Sequence, residues 1–289
     1  YSFACFTFMP EILVHPQFDI VAFHLGPFPV RWYGLMYLFA FLSFFILGNW
    51  HLRNLIKSGE VPNFSLDDLI FYGFLGVILG GRLGYVLFYQ PTYYYLNPLE
   101  ILAFWKGGMS FHGGLLGVLA SLAIYAFRNQ GIGSRETHRH KSITFRFFFL
   151  TDFVAPLAPL GIFFGRIGNF INGELYGRVA DPNIVPWAMI FPQSGTIDPR
   201  HPSQIYQALG EGIILFVILF AVAQRKRKPG LVSAFFLLGY GFFRFVAEYY
   251  RQPDIFLGSL IFNLSLGQLL SIPMIVLGLL IFFFSRKLK

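Results

Sequence analysis

A single cysteine, Cys5, stands among 289 residues. The chain can therefore form no internal disulfide, and it has no pair of thiolates for a zinc or iron–sulfur centre. Charge is scarce as well: Asp, Glu, Lys and Arg make up 12% of the residues, against about 25% in soluble domains. That shortage excludes an ordinary water-facing surface. The chain is instead 55% hydrophobic with 38 phenylalanines, and this excess of apolar surface has to face lipid.

The formal charge of +8 would suit nucleic acid only if the basic residues gathered on one solvated face. They sit in short runs between apolar segments, so membrane orientation explains them and no nucleic-acid partner is expected. Residues 1–8 carry no Lys or Arg and lack the basic start of a secretory signal. Met9 is a possible natural start, and the octapeptide before it carries no functional information. No repeat relates the two halves, and the paired broken helices of many transporters are not apparent.

A membrane helix needs about 20 mainly apolar residues. Stretches of that kind fall at roughly 30–50, 67–89, 110–127, 147–167, 204–223, 231–250 and 266–284. Fourteen of the 22 basic residues lie in the connections on one side, among them Arg53, Lys57, Arg128, Arg146, Arg225 and Lys228. Basic loops stay in the cytoplasm. The expected fold is an all-α polytopic membrane protein of seven transmembrane helices, with the N-terminus outside and the C-terminus cytoplasmic. An extracytoplasmic arm covers 1–29 and helices one to four cover 30–169. A small extracytoplasmic cap covers 170–203, and helices five to seven with a cytoplasmic tail cover 204–289.

Ionisable groups inside such spans cost about 2.5–3.5 kcal/mol each on insertion scales, so each is a functional candidate. In the run GRIGNFINGE at 165–174, helical spacing places Arg166, Asn169 and Gly173 along one face. In 240–248, Tyr240, Arg244 and Glu248 follow at i, i+4 and i+8 on an otherwise apolar helix. Either pair alone reads equally well as a structural bridge. Two arginines with Asn, Glu and Tyr at similar depth read as a site. GGMSFHGG at 107–114 brings His112, flanked by glycine pairs that clear space around its ring. A lone histidine there is ordinarily a packing residue, although its usual pKa of about 6.5 suits a proton acceptor. HPSQIY at 201–206 leads into the fifth span, where Ser203 is a candidate cap and Glu211 a further intramembrane acid. Arg82 lies too deep to be an interfacial anchor, the ordinary reading of Trp32 and Tyr33.

Taken together these segments resemble the bacterial prolipoprotein diacylglyceryl transferase family. GRIGNFINGELYGR at 165–178 is similar to the family signature, and GGMSFHGG, HPSQIYQ and GYGFFRFVAEYYRQPD match its other blocks. The resemblance spans about 15–270, with two departures: Tyr176 where Trp is frequent and Gln207 where Glu is expected. It implies a transferase that forms a thioether between the diacylglyceryl group of phosphatidylglycerol and a prolipoprotein cysteine, releasing glycerol phosphate. It implies catalytic roles for His112, Arg166, Tyr240 and Arg244. Asn169, Gly177, Tyr33, Glu174, Glu248 and Arg251 join the two arginines in binding the lipid. No cofactor or metal is implied, and the partners are the donor lipid and the signal segment of a prolipoprotein. The location is the inner membrane, with the site toward the outer leaflet.

The chemistry suits these residue types. A thiol with a pKa of about 8.5 is only slightly ionised at neutral pH, so His112 or the field of the arginines should raise the thiolate fraction. The nucleophile belongs to the substrate, not to Cys5. Arginine keeps its charge and offers a planar fork to phosphate oxygens, which assigns Arg166 and Arg244 to the phosphate. Glu248 and Glu174 should orient the arginines, while Asn169 and Tyr240 donate neutral hydrogen bonds. Two other readings remain. One is a lipid or solute transporter, whose buried polar site would do no chemistry. The other, a serine protease using Ser110 and His112, is disfavoured because residues two apart diverge on a helix.

Overall fold

The computed structural model describes residues 12–60, 62–103, 108–133, 141–225, 228–252 and 264–285, without the side chains of residues 111 and 112. The side chain of His112 thus lies outside the described residues, as do Cys5, Met9, Lys106, Arg135, Arg139 and the basic tail at 286–289. In chain order the elements are β1 (Leu13–Val14), β2 (Val21–Leu25), β3 (Phe28–Arg31), α1 (Trp32–Lys57), α2 (Leu66–Phe88), α3 (Pro91–Leu96), α4 (Phe111–Arg128), α5 (Ile143–Val154) and α6 (Ala158–Ile171). There follow β4 (Met189–Ile190), β5 (Pro199–Arg200), α7 (Ser203–Gln207), a π-helical stretch Ala208–Ile214, α8 (Leu215–Ala223), α9 (Leu231–Ala247) and α10 (Leu266–Ser285).

Six of the seven apolar stretches each fall mainly on one helical run, while the stretch at 147–167 spans α5 and α6 with a break at 155–157 and a bend of 42°. By length and composition, four helices are fit to cross a membrane: Trp32–Lys57, Leu66–Phe88, Ser203–Ala223 and Leu266–Ser285. The consecutive pair α5 and α6 would make a fifth, while α4 and α9 are apolar but shorter. Exposed Phe71, Phe74, Leu79 and Leu280 line the outer faces, and polar Gln204, Glu211 and Ser271 are buried. That inversion of the usual soluble pattern suits lipid-facing helices. The all-α expectation needs correcting to mostly helical. β2 and β3 form an antiparallel hairpin, and β1 pairs in parallel with β4, which pairs with β5. Two-residue strands carry no alternation a sequence could reveal.

The chain divides into two compact units. One comprises the described residues within 47–154 and 228–230. Here Ser65 caps α2 by accepting from the Asp68 N–H at 3.2 Å, and Ser110 caps α4 by accepting from Gly113. Gly76, Gly80 and Gly84 recur every fourth residue of α2 and meet Gly113 and Gly117 of α4 backbone to backbone. A Cβ at Gly80 would collide with the Gly113 carbonyl oxygen and stand 2.7 Å from the Gly117 Cα. Gly80→Val is therefore expected to cost at least about 1–3 kcal/mol and to lower the melting temperature in detergent. Gly73→Val, where nothing lies within 4 Å, is the control. Equal melting of the two variants would refute this packing.

Arg82 belongs to the same unit and is 5% exposed. Its guanidinium donates to the carbonyls of Ile101 at 2.8 Å, Gly108 at 3.2 Å and Glu100 at 2.6 Å, and lies over the Tyr94 ring. Those bonds staple the segment after α3 onto α2, a structural answer to its depth. Arg146, expected in a cytoplasmic connection, is buried in α5.

The other unit comprises the described residues within 12–46, 155–225 and 231–285. Its core gathers Ala155, Leu215, Leu219, Ala223 and Val232. Gly241 and Gly278 bring α9 and α10 close, with Cβ positions 3.2 Å from the Ser271 carbonyl and 3.1 Å from that of Ala234. His15, just after β1, is 1% exposed. Its Nε2 lies 2.6 Å from the Phe170 carbonyl oxygen and its ring stacks on Phe191, tying the N-terminal strand to the end of α6.

Candidate functional site

The second unit carries the polar cluster, and it starts on α6. Arg166 Nη1 donates to Asn169 Oδ1 at 3.4 Å, three residues along one helical face. Gly173 does not extend that face, because α6 ends at Ile171 and Gly173 takes φ +67°, a left-handed conformation that favours glycine. The turn folds Glu174 back under Asn169. The Glu174 N–H donates to the Asn169 carbonyl at 3.0 Å, and Asn169 Nδ2 donates to Glu174 Oε1 at 2.8 Å. Asn172 Nδ2 shares that oxygen at 3.5 Å. Among the described residues Glu174 therefore pairs with amides and with no arginine, contrary to the expectation that it orients one.

From α9 comes the second arginine. Arg244 Nη2 lies 2.6 Å from Glu248 Oε1, the i, i+4 pair read from the sequence. The same oxygen takes Arg251 Nη1 at 3.1 Å, and Ser265 Oγ donates to Oε2 at 2.8 Å. Glu248 is 3% exposed and gripped on both oxygens. It pairs with two arginines, Arg244 and Arg251.

Glu211 joins the halves. Its Oε2 is 3.8 Å from Arg166 Nη2 and its Oε1 is 3.7 Å from Arg244 Nη1. A continuous polar line thus runs Glu174, Asn169, Arg166, Glu211, Arg244, Glu248, Arg251. The sequence marks Glu211 as an intramembrane acid but not as the link. Its position comes from the π-helical stretch, whose wider turn re-aims side chains and which recurs at functional sites, and from the glycines either side. A Cβ at Gly212 would stand 2.7 Å from Phe163 Cβ, and one at Gly210 3.1 Å from the Phe243 ring. Gly210-Glu211-Gly212 was the available signal.

Other candidates are placed around this line. Tyr33 packs on α6, its ring 2.9 Å from where a Gly168 Cβ would be. Tyr240 sits one turn before Arg244 and stacks on Phe236. Gly177 forms a bridge with Arg251 in a strand-like crossing. Its N–H donates to the His201 carbonyl at 2.9 Å, and the next N–H, of Arg178, donates to the Tyr250 carbonyl at 2.8 Å. Arg200, missed from sequence, donates to the Gly177 carbonyl at 3.4 Å and lies over Tyr176. Ser203 Oγ and Gln204 Nε2 hold the Leu175 and Glu174 carbonyls, fastening α7 to the signature segment. Burial holds the His201 imidazole below its ordinary pKa, so the ring is neutral at neutral pH beside the Tyr206 hydroxyl at 3.1 Å. Among the described residues no three His, Cys, Asp or Glu side chains gather as a metal ion would need.

The arrangement can bind an anion. Arg166 and Arg244 reach from different helices toward one point, and Arg244 Nη1 is buried with no hydrogen-bond partner among the described residues. Comparison with known proteins agrees with such chemistry. The family model described as prolipoprotein diacylglyceryl transferase matches residues 20–284. A Dechloromonas aromatica protein named phosphatidylglycerol–prolipoprotein diacylglyceryl transferase is 53% identical over 278 residues, 96% of this chain and 99% of its own. Proteins of the same name are 54% identical in Cupriavidus metallidurans, over 92% of this chain and 93% of theirs, and 48% identical in Ralstonia pickettii, over 96% of each.

Proposed function

The chain belongs to the prolipoprotein diacylglyceryl transferase family, and from that premise we propose how its polar line carries out the transfer. The enzyme moves the diacylglyceryl group of phosphatidylglycerol onto a cysteine thiol of a prolipoprotein. A sulfur–carbon bond forms at the glyceryl carbon and the carbon–oxygen bond to phosphate breaks. The electron pair stays on the phosphate oxygen, glycerol phosphate departs and the thiol proton passes to a base.

Arg166 and Arg244 clamp the lipid phosphate and take up the charge that grows on the leaving oxygen, where exclusion of water strengthens each donor. Glu248 orients Arg244 and Arg251 toward it. Asn169, fixed by Glu174, offers a neutral donor beside Arg166, with Tyr240 on the helix of Arg244 and Tyr33 on α1 packed against α6. Gly177 lets the signature strand approach Arg251. His112 is the base that receives the thiol proton. The single observation that carries this reading is the pair of arginines on α6 and α9 brought to one carboxylate while the buried Arg244 Nη1 has no hydrogen-bond partner among the described residues.

The seven helical stretches cross the membrane with the N-terminus outside and the basic C-terminal end in the cytoplasm, and residues 170–203 cap the extracytoplasmic side. The donor lipid enters from the outer leaflet of the inner membrane, and the signal segment of the prolipoprotein presents its cysteine there. The direct test incubates purified protein in detergent with phosphatidylglycerol and a lipobox peptide. Glycerol phosphate should appear over many turnovers, with an equal gain of thioether peptide and none from a Cys→Ser peptide. His112→Gln should slow this by roughly 10²–10⁴-fold if His112 is the base. Turnover within threefold of wild type would remove that role, and lipid binding without any thioether product would favour a transporter.

A further inference from the structure

One buried side chain outside the polar line is bonded to the main chain beside it. His15 is 1% exposed, and its ring lies among those of Phe18, Phe170 and Phe191. A carbonyl oxygen can only accept, so Nε2 carries a proton and donates it to the Phe170 carbonyl across 2.6 Å. Nδ1 is buried with no hydrogen-bond partner among the described residues. An unbonded buried nitrogen is costly, and phenylalanine would fill this aromatic place without that cost. What histidine adds over phenylalanine is the one bond to Phe170.

That carbonyl closes the end of α6. Gly173, in its left-handed conformation, donates to the Phe170 carbonyl at 2.9 Å while the Glu174 N–H donates to the Asn169 carbonyl at 3.0 Å, the paired bonds of a Schellman motif. The same reversal puts Glu174 Oε1 2.8 Å from Asn169 Nδ2, and Asn169 Oδ1 accepts from Arg166 Nη1 at 3.4 Å. Bonds at a helix end fray, and glycine gives up more conformational freedom than any other residue when it is held. The reversal is therefore weakly fixed by its own residues, and His15 brings a donor from outside. The His15 backbone N–H donates to the Ile190 carbonyl at 2.9 Å, where β1 runs beside β4. The ring is thus mounted on the three-stranded sheet and meets the end of α6 across 155 residues of chain.

We propose that His15 is a positioning residue for the transfer: its Nε2–H pins the Phe170 carbonyl, which holds the reversal at Gly173 and so keeps Glu174 and Asn169 in register with Arg166. The inference rests on the transferase reading above. His15 acts through the main chain next to Asn169, not by touching the reacting groups.

Two substitutions in the purified full-length enzyme separate the bond from the packing. His15→Phe keeps a ring for the stack on Phe191 and removes the donor. His15→Gln removes the ring but carries an amide nitrogen at a reach similar to that of Nε2. His15→Phe should melt close to wild type yet lose at least about tenfold in kcat/KM for phosphatidylglycerol, since a small misplacement in a catalytic array is enough. His15→Gln should melt lower and still turn over faster than His15→Phe, at a temperature where both are folded. A residue needed for stability alone gives the opposite order, with activity following melting. His15→Phe within about twofold of wild type, or His15→Gln no faster than His15→Phe, overturns the proposal. Should His15→Phe fail to fold, His15→Met, which also lacks the donor, takes its place under the same readings. Failure of the transferase reading shows separately, as wild type that releases no glycerol phosphate.

Discussion

Arg244→Ala should lower glycerol phosphate release by at least about 10³-fold and also lower the melting temperature. Removing one preorganised donor at a developing oxyanion costs about 10²–10³ in turnover, and two further losses accompany it here. Glu248 keeps Arg251 and Ser265 but loses its 2.6 Å partner, and Glu211 loses one of its two cations. Breaking a buried pair by removing one member costs about 3–5 kcal/mol. Arg244→Lys separates the effects. An ammonium restores charge beside Glu248 and should recover most of the stability. It cannot reach Glu248 and a phosphate together with a planar fork, so turnover should stay about 10²-fold down. Arg244→Ala with more than a tenth of wild-type turnover would remove the phosphate clamp.

Gly177→Ala should be nearly as damaging for an unrelated reason. The added Cβ would collide with the His201 carbonyl oxygen and stand 2.6 Å from the Tyr250 carbonyl and 2.7 Å from the His201 Cβ. Backbone presses from both sides, so neither neighbour can yield by changing rotamer. Overpacking costs about 1–3 kcal/mol, and relief would push the signature strand away from Tyr250 and Arg251, detaching one end of the polar line. Loss of turnover should reach about 10²-fold, as expected when a small misplacement disturbs a catalytic array. Gly161→Ala is the comparison. Nothing lies within 4 Å of its Cβ, and alanine in a helix interior is favoured by about 0.5–1 kcal/mol. Melting curves and turnover of the two variants side by side decide the point.

What could be read from the sequence was local. Apolar stretches of membrane length announce their helices, and the spacings Arg166 to Asn169 and Arg244 to Glu248 announce pairs the structure contains. The misreadings share one cause. Helical spacing extended through Gly173 treats as continuous a helix that ends at Ile171. Glu174 looked like a partner for arginine because both are charged, and the reversal of the chain at Gly173 gave it to Asn169 instead. Counting charge places Arg146 in a loop, without regard to the turn of α5 that buries it. Glu211 owes its position to a π-helical stretch and to Phe163 and Phe243, and no window of sequence contains all three. His15 owes its role to Phe170, 155 residues away.

That last separation governs the order in which the molecule can be made. Leu13 and Val14 reach the membrane early, but Met189 and Ile190, with which they pair, do not yet exist. At synthesis rates of about 5–20 residues per second, the 155 residues between His15 and Phe170 take roughly 8–30 s to emerge. For that interval the N-terminal strand has an open edge and His15 no carbonyl to hold. The polar line is later still, since Arg244 and Glu248 follow Glu211 in the chain. A chain halted before α9 holds Arg166 and Glu211 opposite each other but lacks Arg244, the cation on the other side of that carboxylate.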